Sequence, residues 1–188
     1  MQYKPTSFCL YQKGFTLIEM ILGIVILAIS FSVLTSLIFP AAEQSAKQLN
    51  QVKAAELAQS LLNEIQNKAF DDNSDMAGGL LRCGDELAPL PCSTTMQAEA
   101  GEVRSTFDDV DDYHDLKYGP EYGEGEIKDS QGNTLPMYTG FSLRITVNND
   151  ANYDGSFTGD SSTAKLIQVA ITTPSGFSLD FATYRTNF

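Results

Sequence analysis

The stretch KGFTLIEM, Lys13 to Met20, opens an apolar run that continues ILGIVILAISFSVLTSLIFP as far as Pro40, and between Phe15 and Pro40 Glu19 is the only ionisable side chain. The run is roughly 25 residues long, against the roughly 20 that a helix needs to cross the hydrocarbon core of a bilayer. It reads as a membrane segment. A carboxylate inside such a segment is costly in lipid, so Glu19 demands a reason.

Working outward, the residues before Gly14 carry Lys4 and Lys13 and no acid, so the formal charge of −12 becomes −14 beyond them. Positive charge is retained on the cytoplasmic side, which directs the C-terminal bulk across the membrane. A strongly acidic bulk repels nucleic acid phosphates and anionic headgroups. A removable secretory signal also begins with a basic region and an apolar core. Its core is shorter, however, about 7 to 15 residues, and ends in a small-x-small site that does not stand out here. About 150 residues follow the run, enough for one domain with a real core.

KGFTLIEM resembles the class III signal of type IV pilins and pseudopilins. In that family a membrane peptidase cuts after the glycine and methylates the new N-terminus. The resemblance makes Gly14 the last leader residue, Phe15 the first mature and N-methylated one, and Glu19 the fifth. It implies a chain that is processed yet still anchored. A new amine at Phe15 and the Glu19 carboxylate are opposite charges, each unfavourable alone in lipid. On incorporation, the carboxylate of an incoming subunit can meet the Phe15 amine of its neighbour, a subunit-docking role that turns the cost into registry. The plainer reading has Glu19 contact its own N-terminus, and both can hold, before and after assembly.

Past Pro40 the helix is expected to resume from Ala41 to about Ala69. Ala54, Leu57, Ala58, Leu61, Leu62, Ile65 and Ala69 fall on one face at spacings of three and four. Pro40 should kink or briefly break the helix, since it lacks an N–H and clashes with the preceding turn. After Phe70 the composition turns to Asp, Gly, Ser and Pro. Phe141, Leu143, Ile145 and Val147 then alternate with polar residues as a half-buried strand. Ala164–Thr172 is a second strand, with Ile167, Val169 and Ile171 on one face. Thr173-Pro174-Ser175-Gly176 is a turn signal, and Phe177, Leu179 and Phe181 make a third strand. The fold class is α+β: a long N-terminal helix, transmembrane in its first half, packed on a C-terminal antiparallel sheet, as the pilin resemblance also implies. The organisation is a cleaved leader over 1–14, a transmembrane helix over 15–40, an amphipathic periplasmic helix over 41–69 and a globular head over 70–188.

Cys9 lies in the leader, which leaves Cys83 and Cys92 in an oxidising compartment, where a disulfide is expected. The C-x-x-C spacing of a redox-active pair is absent. No catalytic constellation assembles, and the chain does not read as an enzyme. His114 is the single histidine, and Asp108, Asp109, Asp111 and Asp112 around it read as a solvated acidic loop. Asp150, Asn152 and Asp154, followed by Gly155, reproduce the opening of a calcium loop and are a candidate Ca²⁺ site. The twelfth position would be Ser161 rather than glutamate, so the site would need Asp160 or a backbone carbonyl to complete it. A solvated Asx turn explains the same residues. Asp71, Asn73 and Asp75 form a weaker second candidate.

The stretches FDDNSD, GGLLRCGDE and FDDVDDYHDL resemble the D-type minor pilins of mannose-sensitive haemagglutinin (MSHA) pili. That resemblance implies a low-abundance subunit that primes or caps a pilus. Its expected partners are a prepilin peptidase, other major and minor pilins and an inner-membrane assembly platform; nucleic acid is not among them. Its expected place is the inner membrane, crossed once with the C-terminal domain in the periplasm, and then the fibre or its tip. A type II secretion minor pseudopilin and a bitopic periplasmic binding protein with an uncleaved anchor are the competing readings. Glu19 separates the last of these, because a mere anchor gains nothing from it.

Overall fold

The computed structural model describes residues 14–75, 82–86 and 90–187, and the leader before Gly14 lies outside them. The chain divides into two compact units, Met1–Ala46 and Lys47–Phe188. One helix, α1 (Leu17–Gln66), begins in the first unit and ends in the second.

In the first unit every residue from Gly14 to Pro40 is exposed, and the helix is long and apolar enough to cross a membrane. Of the kink or brief break expected at Pro40, the break does not occur: the residues on both sides of it are helical. Proline removes one backbone donor and crowds one turn. In a helix of 50 residues one missing bond leaves propagation on either side intact. Ser30, Thr35 and Ser36 each donate their hydroxyl to a carbonyl of the preceding turn, at 2.7, 2.6 and 2.8 Å, which lowers the cost of hydroxyls in an apolar setting.

The second unit packs the C-terminal part of α1 on an antiparallel sheet. The strands are β1 (Lys117–Tyr118), β2 (Ser142–Asn149), β3 (Ala164–Thr172) and β4 (Ser178–Thr186), in the order β1-β2-β3-β4. Ile145 lies opposite Val169, and Val169 opposite Phe181. The apolar stripe of the helix is buried as its periodicity requires, from Ala54 to Ile65, and it shares one core with Leu143, Ile145, Val147, Ile167, Val169 and Ile171. Each of the Leu, Ile and Val side chains contributes about 1.5–3 kcal/mol on leaving water.

The details differ at the ends. The helix stops at Gln66, and Ala69 instead makes an isolated bridge to Asp109. The third expected strand runs on to Thr186, with Leu179 and Phe181 only half-buried and Phe177 exposed. Two residues, Lys117 and Tyr118, add a strand that sequence pattern could not show.

Cys83 and Cys92 are joined in a disulfide, with their Cα atoms 4.7 Å apart, and with Phe70 they form a second small core. Asn187 fastens that loop to the sheet. Its side-chain amide donates to the carbonyls of Cys83 and Ser162, at 3.0 and 2.9 Å, and its oxygen accepts from Ser74.

Candidate functional site

At the start of α1, Thr16 is the N-cap: its Oγ1 accepts from the backbone N–H of Glu19 at 3.3 Å. Thr16 and Glu19 have the S/T-x-x-E spacing of a capping box, of which this is one of the two bonds. The Glu19 side chain is exposed, and among the described residues its carboxylate has no hydrogen-bond or ion-pair partner. Phe15 is 79% exposed. A Cβ added at Gly14 would meet nothing within 4 Å, so among the described residues nothing requires glycine there.

In the head, the acidic stretch is the largest departure from expectation. Asp109, Asp111 and Asp112 are buried, not solvated, and so is Asp71. Their charges are met from two sources. The first is backbone: Asp109 Oδ1 accepts from the amides of Asp111 and Asp112 at 2.7 and 3.2 Å, and its Oδ2 from Asp72 at 2.8 Å. Asp112 Oδ2 accepts from Asp108 and Asp109 at 2.8 and 3.1 Å, and Asp71 from Asn73 and Ser93. The second is Lys165, itself fully buried, whose ammonium lies 2.7 Å from Asp111, 3.5 Å from Asp71 and 2.6 Å from the Phe70 carbonyl.

Burial pushes the Asp109 carboxyl up to about 7, helped by the neighbouring acids Asp111 and Asp112. Burial also pushes Asp111 up, to about 6, against the pull of Lys165. The acidic stretch is buried and not solvated because partners from distant parts of the chain, Asp71 and Lys165, enclose it. A further ion pair, Arg104 with Glu64 at 2.6 Å, is shared with the Tyr113 hydroxyl, which donates to the same Glu64 oxygen at 2.7 Å. His114 faces the backbone of β2, its Nδ1 lying 2.6 Å from the Val147 carbonyl.

The calcium-loop residues are brought together, and they hydrogen-bond within the loop and to β4. Asp150 is buried, and its carboxylate accepts from the amides of Asp154 and Gly155 at 3.2 and 2.8 Å and from the Tyr184 hydroxyl at 2.7 Å. Burial opposes ionisation there, yet these donors hold its carboxyl below the usual range. Asn152 donates to Asp154 at 2.8 Å. Asp160, needed to complete a cation shell, accepts instead from Ser162 and Thr163. In the weaker candidate, Asp71 is engaged with Lys165. Among the described residues, the groups of three or more His, Cys, Asp or Glu side chains that converge are Asp71 with Asp109 and Asp111, Asp71 with the two cysteines, and Glu99 with Glu102 and Asp112. Lys165 occupies the first set, and the disulfide occupies the second.

Residues 9–35 match the family model of the prokaryotic N-terminal methylation motif. No curated protein and no solved structure matches the chain. The matched segment contains Gly14, Phe15 and Glu19 and most of the apolar run, as far as Thr35. Motif and helix together support membrane anchoring. The chain thus carries a type IV pilin-like class III signal at the head of a membrane-length helix, which supports a type IV pilin or pseudopilin.

Proposed function

We propose that the protein is a minor pilin of an MSHA-type pilus, cut by a prepilin peptidase between Gly14 and Phe15, N-methylated at Phe15, and held in the inner membrane with its head in the periplasm until it enters the fibre. The observation that carries this reading is the unpaired, exposed Glu19 at the start of an exposed apolar helix, inside the methylation motif. An isolated charge of this kind has a purpose when a neighbouring subunit supplies the opposite charge in lipid. The MSHA assignment rests on the likeness of three stretches of the head. Two of them, around Phe70–Asp75 and Phe107–Leu116, supply the buried acids, so the likeness speaks for a shared head core and not for a shared docking surface.

The test is Glu19→Ala in the host. The variant should be processed normally and accumulate in the membrane while being lost from sheared fibres. Normal incorporation would remove the docking role. Deleting either the MSHA-type or the type II secretion assembly genes then decides the system, since incorporation should depend on the first and survive loss of the second.

A further inference from the structure

The two edges of the sheet are finished differently. On the β1 side the outward backbone groups of β2 are taken. Leu143 pairs with Tyr118, the Ile145 N–H donates to the Leu116 carbonyl at 2.9 Å, His114 Nδ1 sits against the N–H and carbonyl of Val147, and the Asn149 carbonyl accepts from the Thr158 N–H at 2.7 Å. On the other side lies β4, nine residues long. Its register with β3 is unbroken from Ala164 opposite Thr186 to Thr172 opposite Ser178. Bonds from the Asn187 N–H to the Thr163 carbonyl and from the Thr173 N–H to the Phe177 carbonyl bracket that ladder. Bonded and non-bonded pairs alternate along an antiparallel ladder. The odd-numbered residues of β4 therefore bond to β3, while Ser178, Asp180, Ala182, Tyr184 and Thr186 turn their N–H and carbonyl groups outward. Among the described residues none of these five outward backbones has a partner.

A long bare edge is a template for another strand, and proteins ordinarily blunt it with lysine, proline, a bulge or shortness. β4 contains no lysine or proline, its register has no bulge, and it is as long as β3. Its inner row is unfinished as well: Leu179 and Phe181 pack on the core yet stay half-buried, and Phe177, just before them, is 45% exposed. An open groove of about 360 Å³ lies between the end of α1 and Tyr184, Arg185 and Thr186. On the outer face of the edge, Asp180 is exposed.

We propose that the β4 edge receives an extended segment of a different chain, apolar at alternate positions and basic between them. Main-chain bonds to the five outward backbones hold the segment, and the pleat sends its side chains alternately to the two faces. Apolar side chains then cover Leu179 and Phe181, and basic ones stand beside Asp180. The sign follows from charge. Before Lys47 the chain holds Lys4, Lys13, Glu19 and Glu43, which cancel, so the head carries the whole formal charge of −12. A second copy would set one such charge against another, whereas a basic segment is drawn in. The inference stands on the head alone and is independent of the N-terminal reading.

The test follows amide exchange, residue by residue, in the isotope-labelled full-length protein in non-ionic detergent. Alone, Phe181 and Thr183 should be protected, and Asp180, Ala182 and Tyr184 should exchange freely. The probe is a synthetic peptide as long as β4 that alternates valine with lysine, compared with one that alternates valine with glutamate. The lysine peptide should slow exchange at Asp180, Ala182 and Tyr184 saturably, and the glutamate peptide should bind at least about fivefold more weakly. Ala182→Pro removes an outward N–H that β3 does not use, at a place where an edge strand tolerates proline. It should weaken the lysine peptide at least about tenfold while the protection of Phe181 and Thr183 persists. Asp180→Lys, on the exposed face, should reverse the preference between the two peptides. The proposal is overturned by an absence of added protection with either peptide, or by protection of the three amides already in dilute free protein. Protection that grows with protein concentration alone, as a second copy on the edge would give, overturns it too.

Discussion

Replacing Lys165 by methionine removes the one ammonium that lies among the buried acids and keeps most of the side chain's volume. In the folded head that ammonium is wholly enclosed, 2.7 Å from Asp111, 3.5 Å from Asp71 and 2.6 Å from the Phe70 carbonyl. Breaking such a pair from one side leaves a buried carboxylate uncompensated, and the cost is about 3–5 kcal/mol. The cost depends on pH with a definite sign. Asp111 already stands at about 6, above its ordinary 3.8, because burial outweighs Lys165. Without the cation its carboxyl rises further. A group whose folded value lies above its unfolded value binds more protons when folded, so stability is fullest below the unfolded value and is lost as pH rises through the folded one. The deficit of Lys165→Met is therefore largest at pH 8. At pH 5 Asp111 is mostly protonated, and the deficit falls toward the roughly 2 kcal/mol of one lost charged hydrogen bond, that to Phe70. Urea unfolding of the detergent-solubilised protein, followed by near-ultraviolet dichroism, reads this out, since the chain has eight tyrosines and no tryptophan. Lys165→Met/Asp111→Asn should recover at least half of the loss at pH 8. A deficit under about 1 kcal/mol at both pH values, or one that grows toward pH 5, would refute the reasoning.

The wild-type head should itself be more stable at pH 5 than at pH 8, on the order of 2–4 kcal/mol, because Asp109 and Asp111 are raised to about 7 and about 6; a Tm that climbs across that window would contradict this. Cys83→Ser/Cys92→Ser opens a short loop and should cost about 2–3 kcal/mol, visible as a lower urea midpoint that reductant no longer shifts. Gly119→Ala should destabilise by more than about 2 kcal/mol, since φ is +96° and the new Cβ would press on the Phe141 carbonyl and lie 2.7 Å from Ser142 Cα. An unchanged unfolding midpoint for that variant would show that the β1–β2 approach is looser than described.

The elements that were legible in the sequence are those with a period. The stripe from Ala54 to Ile65 and the alternation through β2 and β3 need only local pattern, and both lie where they were expected. The buried charge cluster has no period. Asp71, Asp111 and Lys165 meet across 94 and 54 residues of chain, and FDDVDDYHD looks hydrophilic until its distant partners are in place. One clue was present: Lys165 shares the core-facing row with Ile167, Val169 and Ile171, and a lysine on such a row must meet acids. At Pro40, where a kink or brief break is the local expectation, the helix runs on without a break, because a local rule about one residue is set against the length of the whole helix. The N-terminal motif was legible because its meaning is chemical and local, in Gly14, Phe15 and Glu19.

The most direct test of the account is the N-terminus of the protein recovered from its own host. Intact-mass and N-terminal fragment spectra of the membrane-extracted protein should show a chain that begins with N-methylphenylalanine at position 15, and Gly14→Ala should leave the precursor uncut while the unfolding midpoint of the head stays the same. A wild-type protein that still begins at Met1, or that is cut beyond Pro40 so that the apolar helix is lost, would contradict the pilin reading.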